Sequence, residues 1–476
     1  MKASSLLGHC AQLLKIVWKS PQPADAVTSE FLRSKKYIGS KERKAISEIV
    51  FTTLRIHGFV EHCNSVAHSE SLLPNTLPEQ LRICTGILVA YKHNLYPAET
   101  LITKATGAQP VEQNFTSILT SAFAELCSAD VEATTTFIQT VSNCIDESEQ
   151  QLQQTLQHAE AQEQIETLAW GGSMQPWIVE DWLQTYSPHD VYNVCTSLCH
   201  SAPLTARVNT RIINRENALA MLTADGISVS PTTLSPHGIL FAERTQLTQH
   251  PLFQSGTLEI QDEGSQLVGY ALSPEQHWRV LDACAGAGGK SLHVATLQNN
   301  HGHVWGSDIE PKRLRELHFR AQKSALTSIM PRALTTVPDN ERNKLHESFD
   351  AVLIDAPCSG MGTVRRSPML KWRLTADQLQ RINNKQRGII AENAKYVRPG
   401  GVLLYVTCSL MHQENENIVN EFLATHPEFV PDALTPQFAK HGITIPHSNQ
   451  DDWHVTLTPY HHHTDGFFIA RMKRLE

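Results

Sequence analysis

The feature that most restricts the fold is an alternation that begins near residue 279. Short apolar runs end in turns, and each is followed by a helix pattern. "RVLDAC" leads into a glycine-rich turn and then "SLHVATLQ". "HVWGSD" leads into "PKRLRELHFRAQKSAL", with Pro311 near the helix start. "RALTTV" reads as a third strand, "DAVLIDAP" as a fourth and "GGVLLYVTCS" as a fifth. Strands that are apolar on both faces and separated by helices require a parallel sheet covered on both sides. The reading is an α/β domain over residues 266–476.

The chain before it has a different texture. Apolar residues recur at threes and fours in "LLGHCAQLLKIVW", "AVTSEFLRSKKYIG" and "ERKAISEIVFTTLRIHGFVEHC", which predicts an all-α domain over residues 1–150. Residues 146–168, rich in Gln and Glu, predict an exposed helix or helical linker. "WGGSMQPW" interrupts it and "IVEDWLQTY" restarts a helix. After "PLTARVNTRI" short strands and turn residues predict a small α+β segment, so residues 151–265 form the middle region. The 476 residues are thus multidomain, within the two to four domains that length suggests.

Composition excludes several classes. Apolar residues make up 41% and the mean hydropathy is −0.27, as in soluble globular proteins. No run of 18 apolar residues exists, so no membrane contact is expected. His9, Gln12 and Lys15 break up the N-terminal apolar stretch at helical spacing, so no export signal is visible and a cytoplasmic location is expected. Ten cysteines without a CxxC argue against a disulfide framework. Cys195 and Cys199 share a helix face but lack spaced partners for zinc, so no metal is expected. Residues 1–60 carry a net +6 and residues 61–200 a net −14. The total of −8 argues against non-specific coating of nucleic acid, while local basic stretches permit a specific RNA partner.

Ligands of a doubly wound sheet sit beyond the carboxyl ends of its strands. Four chemically loaded segments fall there: Asp282 to Lys290, Asp308, Asp355 to Cys358, and Thr407 to Ser409. In "ACAGAGGKS", Gly286, Gly288 and Gly289 allow close backbone approach and a turn into a helix N-terminus. Asp308, 26 residues after Asp282, can accept hydrogen bonds from ribose hydroxyls. A dinucleotide loop needs G-x-G-x-x-G, which is absent. A P-loop needs glycine where Cys284 stands, although "GKS" is present, so a P-loop NTPase is the runner-up. S-adenosylmethionine needs no phosphate cradle and tolerates Cys284.

"DAPCSG" and "TCS" place Cys358 and Cys408 at the ends of two strands expected to be neighbours. Cytosine C5 is a poor nucleophile; a thiolate added to C6 makes it enamine-like. The thiolate must later leave, so a second group must assist, and Asp355 is placed to face the N3 and N4 edge of the base. The base has to leave its stack to reach such a crevice. Chemistry says that one cysteine attacks and does not say which. Two small buried hydrophobes are the plain alternative.

These residues resemble the bacterial Sun/Fmu branch of the RNA cytosine-C5 methyltransferases, related to the NOP2/Sun proteins. The likeness runs through "EIQDEGSQLV", "LDACAGAGGKS" (with Ala287 where the family has Pro), "DAPCSGMGTVRRSPMLKWR", "YVTCSL" and "DGFFIARM". "GSKERKAISEIVFTTLR" looks like the NusB-type RNA-binding domain of the 16S rRNA branch, with Glu42-Arg43 where that branch has Asp-Arg. The resemblance implies a Rossmann-like catalytic domain that uses S-adenosyl-L-methionine, with 16S rRNA as target and tRNA as the alternative. It implies Cys408 as nucleophile and Cys358 as the aid to release. It implies a cofactor site of Cys284, Ala285, Gly286, Ala287, Gly288, Gly289, Lys290, Asp308 and Asp355, with Asp339 nearest to the family's adenine-side carboxylate.

Residues 360–400 hold nine Lys/Arg against Asp377 and Glu392, so Arg365, Arg366 and Lys371 are expected on RNA phosphates. Trp372 among them is a candidate for base stacking, and a structural Trp under the loop is the equal alternative. Arg207 and Asn209 in "ARVNT" join them by resemblance alone. A non-catalytic RNA-binding module is the third reading. No obligate protein partner is implied.

Overall fold

Apolar residues three and four apart give each N-terminal helix one stripe, and the stripes are buried together. In the computed structural model, which describes residues 1–106, 115–158, 160–243 and 247–476, the chain divides into two units. The first is Met1–Ser201 with Val364–Leu374, and the second is Ala202–Thr363 with Thr375–Glu476.

The first unit is helical. Helix Ala3–Lys19 buries Leu6, Leu7, Cys10, Leu13, Leu14 and Val17, and helix Ser40–Arg55 buries Ile46, Ile49, Val50 and Leu54. Phe115, Phe123 and Phe137 are fully buried in the same core. Each such side chain contributes about 1.5–3 kcal/mol through the area it removes from water. The boundary expected at residue 150 falls inside helix Val131–His158. That stretch contains no Gly or Pro to stop it, and it buries Leu152 and Thr155. This part of the expected linker is packed bundle, and the helical unit extends to Ser201.

The second unit carries two sheets. Strands β1 (Leu204–Val208), β2 (Val229–Pro231), β3 (Gly238–Phe241) and β4 (Leu258–Ile260) pair antiparallel in the order β2-β3-β1-β4. Helix Arg215–Ala224, capped by the Asn214 side chain, packs Ala218 and Leu222 into a core with Ala206, Val208, Ile239 and Phe241. This is the α+β segment expected after "PLTARVNTRI", and its unit begins at Ala202.

The larger sheet is built from β5 (Arg279–Asp282), β6 (His303–Gly306), β7 (Ile329–Pro331), β8 (Phe349–Asp355), β9 (Val397–Thr407), β10 (Phe429–Pro431), β11 (His454–Leu457) and β12 (Phe467–Arg474). The order is β10-β12-β9-β8-β5-β6-β7, and β11 also pairs with β12. β5 to β9 run parallel, whereas β12 is antiparallel to β9, β10 and β11. The sheet is therefore mixed where a parallel one was expected, because apolar pattern reports burial and not strand direction. The third strand is Ile329–Pro331, ahead of "RALTTV". There the Leu334 N–H donates to Ser307 Oγ at 3.0 Å, and residues Leu334–Thr336 form a 3-10 turn across the strand ends. The strand order reverses at β5, which opens a crevice at its carboxyl end. Among the described residues, no helix is long and apolar enough to cross a membrane.

Candidate active site

Parallel strands deliver their carboxyl ends to one edge, so β5, β6, β8 and β9 present their following loops together. The loop after β5 is stapled to the end of β6. Ala285 N–H donates to Ser307 O at 2.8 Å, and Gly286 N–H donates to Asp308 Oδ2 at 3.0 Å. Gly288 has φ +93°, and a Cβ there would lie 2.1 Å from Leu317 Cδ1, so the turn into helix Gly289–Leu297 needs glycine on two counts. Below the loop Asp282 is buried and accepts from Ser291 Oγ at 2.6 Å. Burial pushes its carboxyl up to about 7, against the pull of Ser291.

Lys290, in the first turn of that helix, meets Asp355 Oδ2 at 2.6 Å. Burial is the largest influence and lowers the Lys290 ammonium, but Asp355, with Cys408 and Asp282 adding to it, turns the net direction upward. The Asp308 carboxylate also accepts from Glu310 N–H at 2.8 Å, which fixes its orientation and leaves acceptor capacity for a ligand.

A cavity of about 540 Å³ opens here. Cys284, Gly286, Asp308, Ile309, Leu334 and Arg342 line it, as do Asp355, Pro357, Cys358 and Cys408. The two cysteine sulfurs lie 3.3 Å apart. Cys358 is held well above the usual thiol range, first by its hydrogen bond with Cys408, then by burial, with the Cys408 and Glu414 charges adding to both. Cys284 is also pushed up, chiefly by burial, and is a poor nucleophile.

The structure sorts the expected residues. Cys284, Gly286, Asp308, Asp355, Cys358 and Cys408 line one cavity. Ala285 is buried under the loop, Ala287 offers its carbonyl to Arg320 at 2.6 Å, and Gly288, Gly289 and Lys290 shape the helix start. Asp339 is not in the wall. Its side chain is 82% exposed in a short helix and pairs with Arg342, which does line the cavity.

Four of the five residues expected on RNA are buried. Arg207 donates to Gln261 Oε1 at 2.8 Å and to Gly289 O at 3.0 Å, and burial lowers its guanidinium to about 10. Asn209 donates to Ser324 O at 3.1 Å. Lys371 is 0% exposed and gives its ammonium to Arg55 O at 2.6 Å, and the Arg365 carbonyl accepts from Arg55 Nε at 2.8 Å. None of the four can reach a phosphate as folded. Arg366 alone is half-exposed. Trp372 is structural, donating its indole N–H to Leu54 O at 2.9 Å.

Ile309, Arg342 and Glu414 are among the residues of the site that were not foreseen. Ile309 follows Asp308 directly and is 82% exposed on the cavity wall. Arg342 has no local signal. Glu414 lies in the "ENEN" run shortly after Cys408, a signal that was present and unread.

A family model described as 16S rRNA methyltransferase RsmB/F matches residues 269–473, and one for the RsmF/B-like ferredoxin-like domain matches 175–248. Over 310 residues the chain is 33% identical to the "Probable ribosomal RNA small subunit methyltransferase B" of Bacillus subtilis (strain 168), covering 65% of this chain and 68% of that one. The chain belongs to the RsmB/F family of 16S rRNA methyltransferases. A second RsmB/F relative, from Synechocystis sp. (strain ATCC 27184 / PCC 6803 / Kazusa), is 30% identical over 306 residues, with 63% and 67% covered. Solved structures share the fold of this RsmB/F chain. That of PH0851 has a TM-score of 0.67 at 20% identity, covering 100% and 99% of the two chains. That of "NSun6 from Pyrococcus horikoshii with SFG" has a TM-score of 0.55 at 19% identity, covering 63% and 98%. The family is one of RNA methyltransferases, which removes the P-loop NTPase reading, in keeping with a Lys290 already paired to Asp355.

Proposed function

We propose that this chain methylates carbon 5 of a cytosine in 16S rRNA, through a covalent bond between Cys408 and C6 of the base. The observation that carries the proposal is the pair of sulfurs, 3.3 Å apart in the wall of a nucleoside-sized cavity. A non-catalytic RNA module has no use for two thiols in contact there.

S-adenosyl-L-methionine fits the residues present. Asp308 keeps acceptors for ribose hydroxyls, Ile309 and Leu334 give apolar surface for a purine, and Gly286 leaves open space where a Cβ would stand. SFG, named with the Pyrococcus structure, is an analogue of this cofactor. When bound, the cofactor supplies an electrophilic methyl group. The chain's own residues do the rest. Cys408 adds as thiolate to C6, and the Lys290 ammonium stands near enough for the two charges to attract. Asp355 holds the N3 and N4 edge of the base. Release requires a base to take the C5 proton, and water in the open cavity is the acceptor in this reading. The C5–H electron pair forms the C5–C6 double bond while the sulfur–C6 bond breaks and its pair returns to Cys408. Cys358, kept as a thiol, donates its hydrogen bond to the departing sulfur.

The helical unit is read as a NusB-like RNA-binding domain, with exposed Lys36 and Lys41 as its phosphate contacts. Bisulfite sequencing of ribosomal and transfer RNA, with and without the protein, tests the target. A protein-dependent 5-methylcytosine in 16S rRNA is expected, and one confined to tRNA moves the substrate. Cys358→Ala is expected to accumulate a protein–RNA adduct stable in denaturing gels. Full turnover by Cys408→Ala would overturn the roles.

A further inference from the structure

The two cysteine loops are built alike. One reads Cys358-Ser359-Gly360-Met361 and the other Cys408-Ser409-Leu410-Met411. In each, the serine hydroxyl accepts from the N–H two residues on, at 3.4 Å for Met361 and 3.1 Å for Met411. Each hydroxyl also donates to the same atom, Oε2 of Glu414. The other oxygen, Oε1, accepts from Ser359 N–H at 2.8 Å and from the Gln386 amide at 3.1 Å. Gln386 also holds Pro357 O at 3.0 Å, one residue before Cys358. Glu414 is 0% exposed, and the Tyr405 hydroxyl donates to its carbonyl at 2.9 Å.

We propose that Glu414 is a positioning residue that holds the Cys358 and Cys408 loops at sulfur contact, by receiving Ser359 and Ser409 on one carboxylate oxygen. The proposal rests on the reading of the two cysteines as a reacting pair.

Donor geometry supports an ionised clamp. The Ser359 N–H and the Gln386 amide can only donate to Oε1. Each serine already accepts from a methionine N–H, which frees its proton for Oε2. Four donors on two oxygens satisfy a carboxylate, and a protonated acid would have to find a fifth partner. Burial pushes Glu414 upward while these donors oppose it. A buried carboxylate beside Cys358 also favours the neutral thiol there. Ala356 N–H to Val406 O at 2.8 Å and Gly362 N–H to the carbonyl of Cys408 at 2.9 Å also join the two loops, and the Asn415 amide donates to Ser409 O at 3.0 Å. Glu414 adds the link that ties both serine side chains to one group.

Disulfide formation measures sulfur proximity without reference to methylation. Treating the full-length protein with the diazene oxidant diamide converts two thiols to one disulfide and the N=N bond to a hydrazine, which takes up both protons. Mass spectrometry of the Cys358–Cys408 linked peptide gives the rate. Wild type is expected to cross-link fastest of the series. Glu414→Ala should slow the reaction about tenfold or more and lower methylation to match. Glu414→Gln keeps an acceptor at Oε1 and lets both hydroxyls turn to accept at the other position, so it should restore the cross-linking rate to within about threefold. Ser359→Ala with Ser409→Ala is the gentler variant should Glu414→Ala fail to fold by thermal melting, and it should also slow the reaction. A wild-type rate in folded Glu414→Ala or in the double serine variant overturns the clamp, as does a Glu414→Gln rate as low as that of alanine. If cross-linking follows this pattern but no variant, nor wild type, methylates RNA, the function fails and the clamp stands.

Discussion

Residues 355–373, "DAPCSGMGTVRRSPMLKWR", run as one continuous motif in the sequence and have two fates in the fold. Asp355 to Thr363 stays in the catalytic unit, where Cys358 meets Cys408. Val364 to Leu374 belongs to the helical unit. There Lys371 and Trp372 donate to Arg55 O and Leu54 O, the last carbonyls of helix Ser40–Arg55. Arg373 donates to Val17 O at 2.9 Å and Ser20 O at 2.6 Å, at the end of helix Ala3–Lys19. A helix C-terminus carries unpaired carbonyls and a partial negative charge, so it attracts the same cations a phosphate does. A cluster of Lys and Arg shows that donors are present and leaves the acceptor open.

Four measurements press on this division. Cys408→Ala carries the largest effect, a loss of methyl transfer on the order of 10³-fold or more with the melting temperature little changed. Retained activity would take the first half of the motif out of catalysis. Next comes a pH response carried by one carboxyl on the catalytic side. Asp282 titrates at about 7 when folded, against roughly 3.9 in an unfolded chain. The folded state therefore holds a proton that the unfolded state has released. This contribution is fully present below about pH 4 and is lost as pH rises through 7, on the order of a few kcal/mol. Melting curves should show wild type losing stability relative to Asp282→Asn across that window, and parallel curves would refute it.

Lys371→Ala should destabilise the helical unit by roughly 1–3 kcal/mol, since the Arg55 carbonyl loses a buried donor. The salt dependence of RNA binding should not change. A slope smaller by about one phosphate contact would put Lys371 on RNA after all. Smallest is Arg366→Ala. A half-exposed side chain should cost under about 1 kcal/mol of stability, and a clear drop in the salt slope would make it the one phosphate ligand of the segment.

The strands bearing Asp282, Asp308, Asp355 and Cys408 were legible because each is an apolar run that must be buried, ending in a residue that need not be. Their meeting at one crevice follows from the parallel order of β5, β6, β8 and β9. What was illegible depends on partners far along the chain. Lys371 finds its acceptor 316 residues away, and Arg207 finds one 82 residues away. No local pattern announces a carbonyl as the partner of a cation. The resemblance points to Asp339 as the carboxylate after the third strand, but the Leu334–Thr336 turn and the short helix after it carry that side chain out to solvent. Glu414 failed for another reason: an acidic run after a strand reads as a solvated turn, and only the two serines show that it turns inward.

The eleven residues Val364–Leu374 also bear on descent. A recombination event that replaced residues 1–201 with an unrelated domain would strip Lys371, Trp372 and Arg373 of their acceptors and strand a bare ammonium in mid-chain. Domain shuffling is ordinarily tolerated where a unit is one continuous stretch of chain, and the helical unit is not. Here a viable exchange would have to rewrite this segment in the same step. Genealogies drawn separately from the helical residues and from the sheet should therefore branch alike, and any lineage in which they part should carry a changed 364–374.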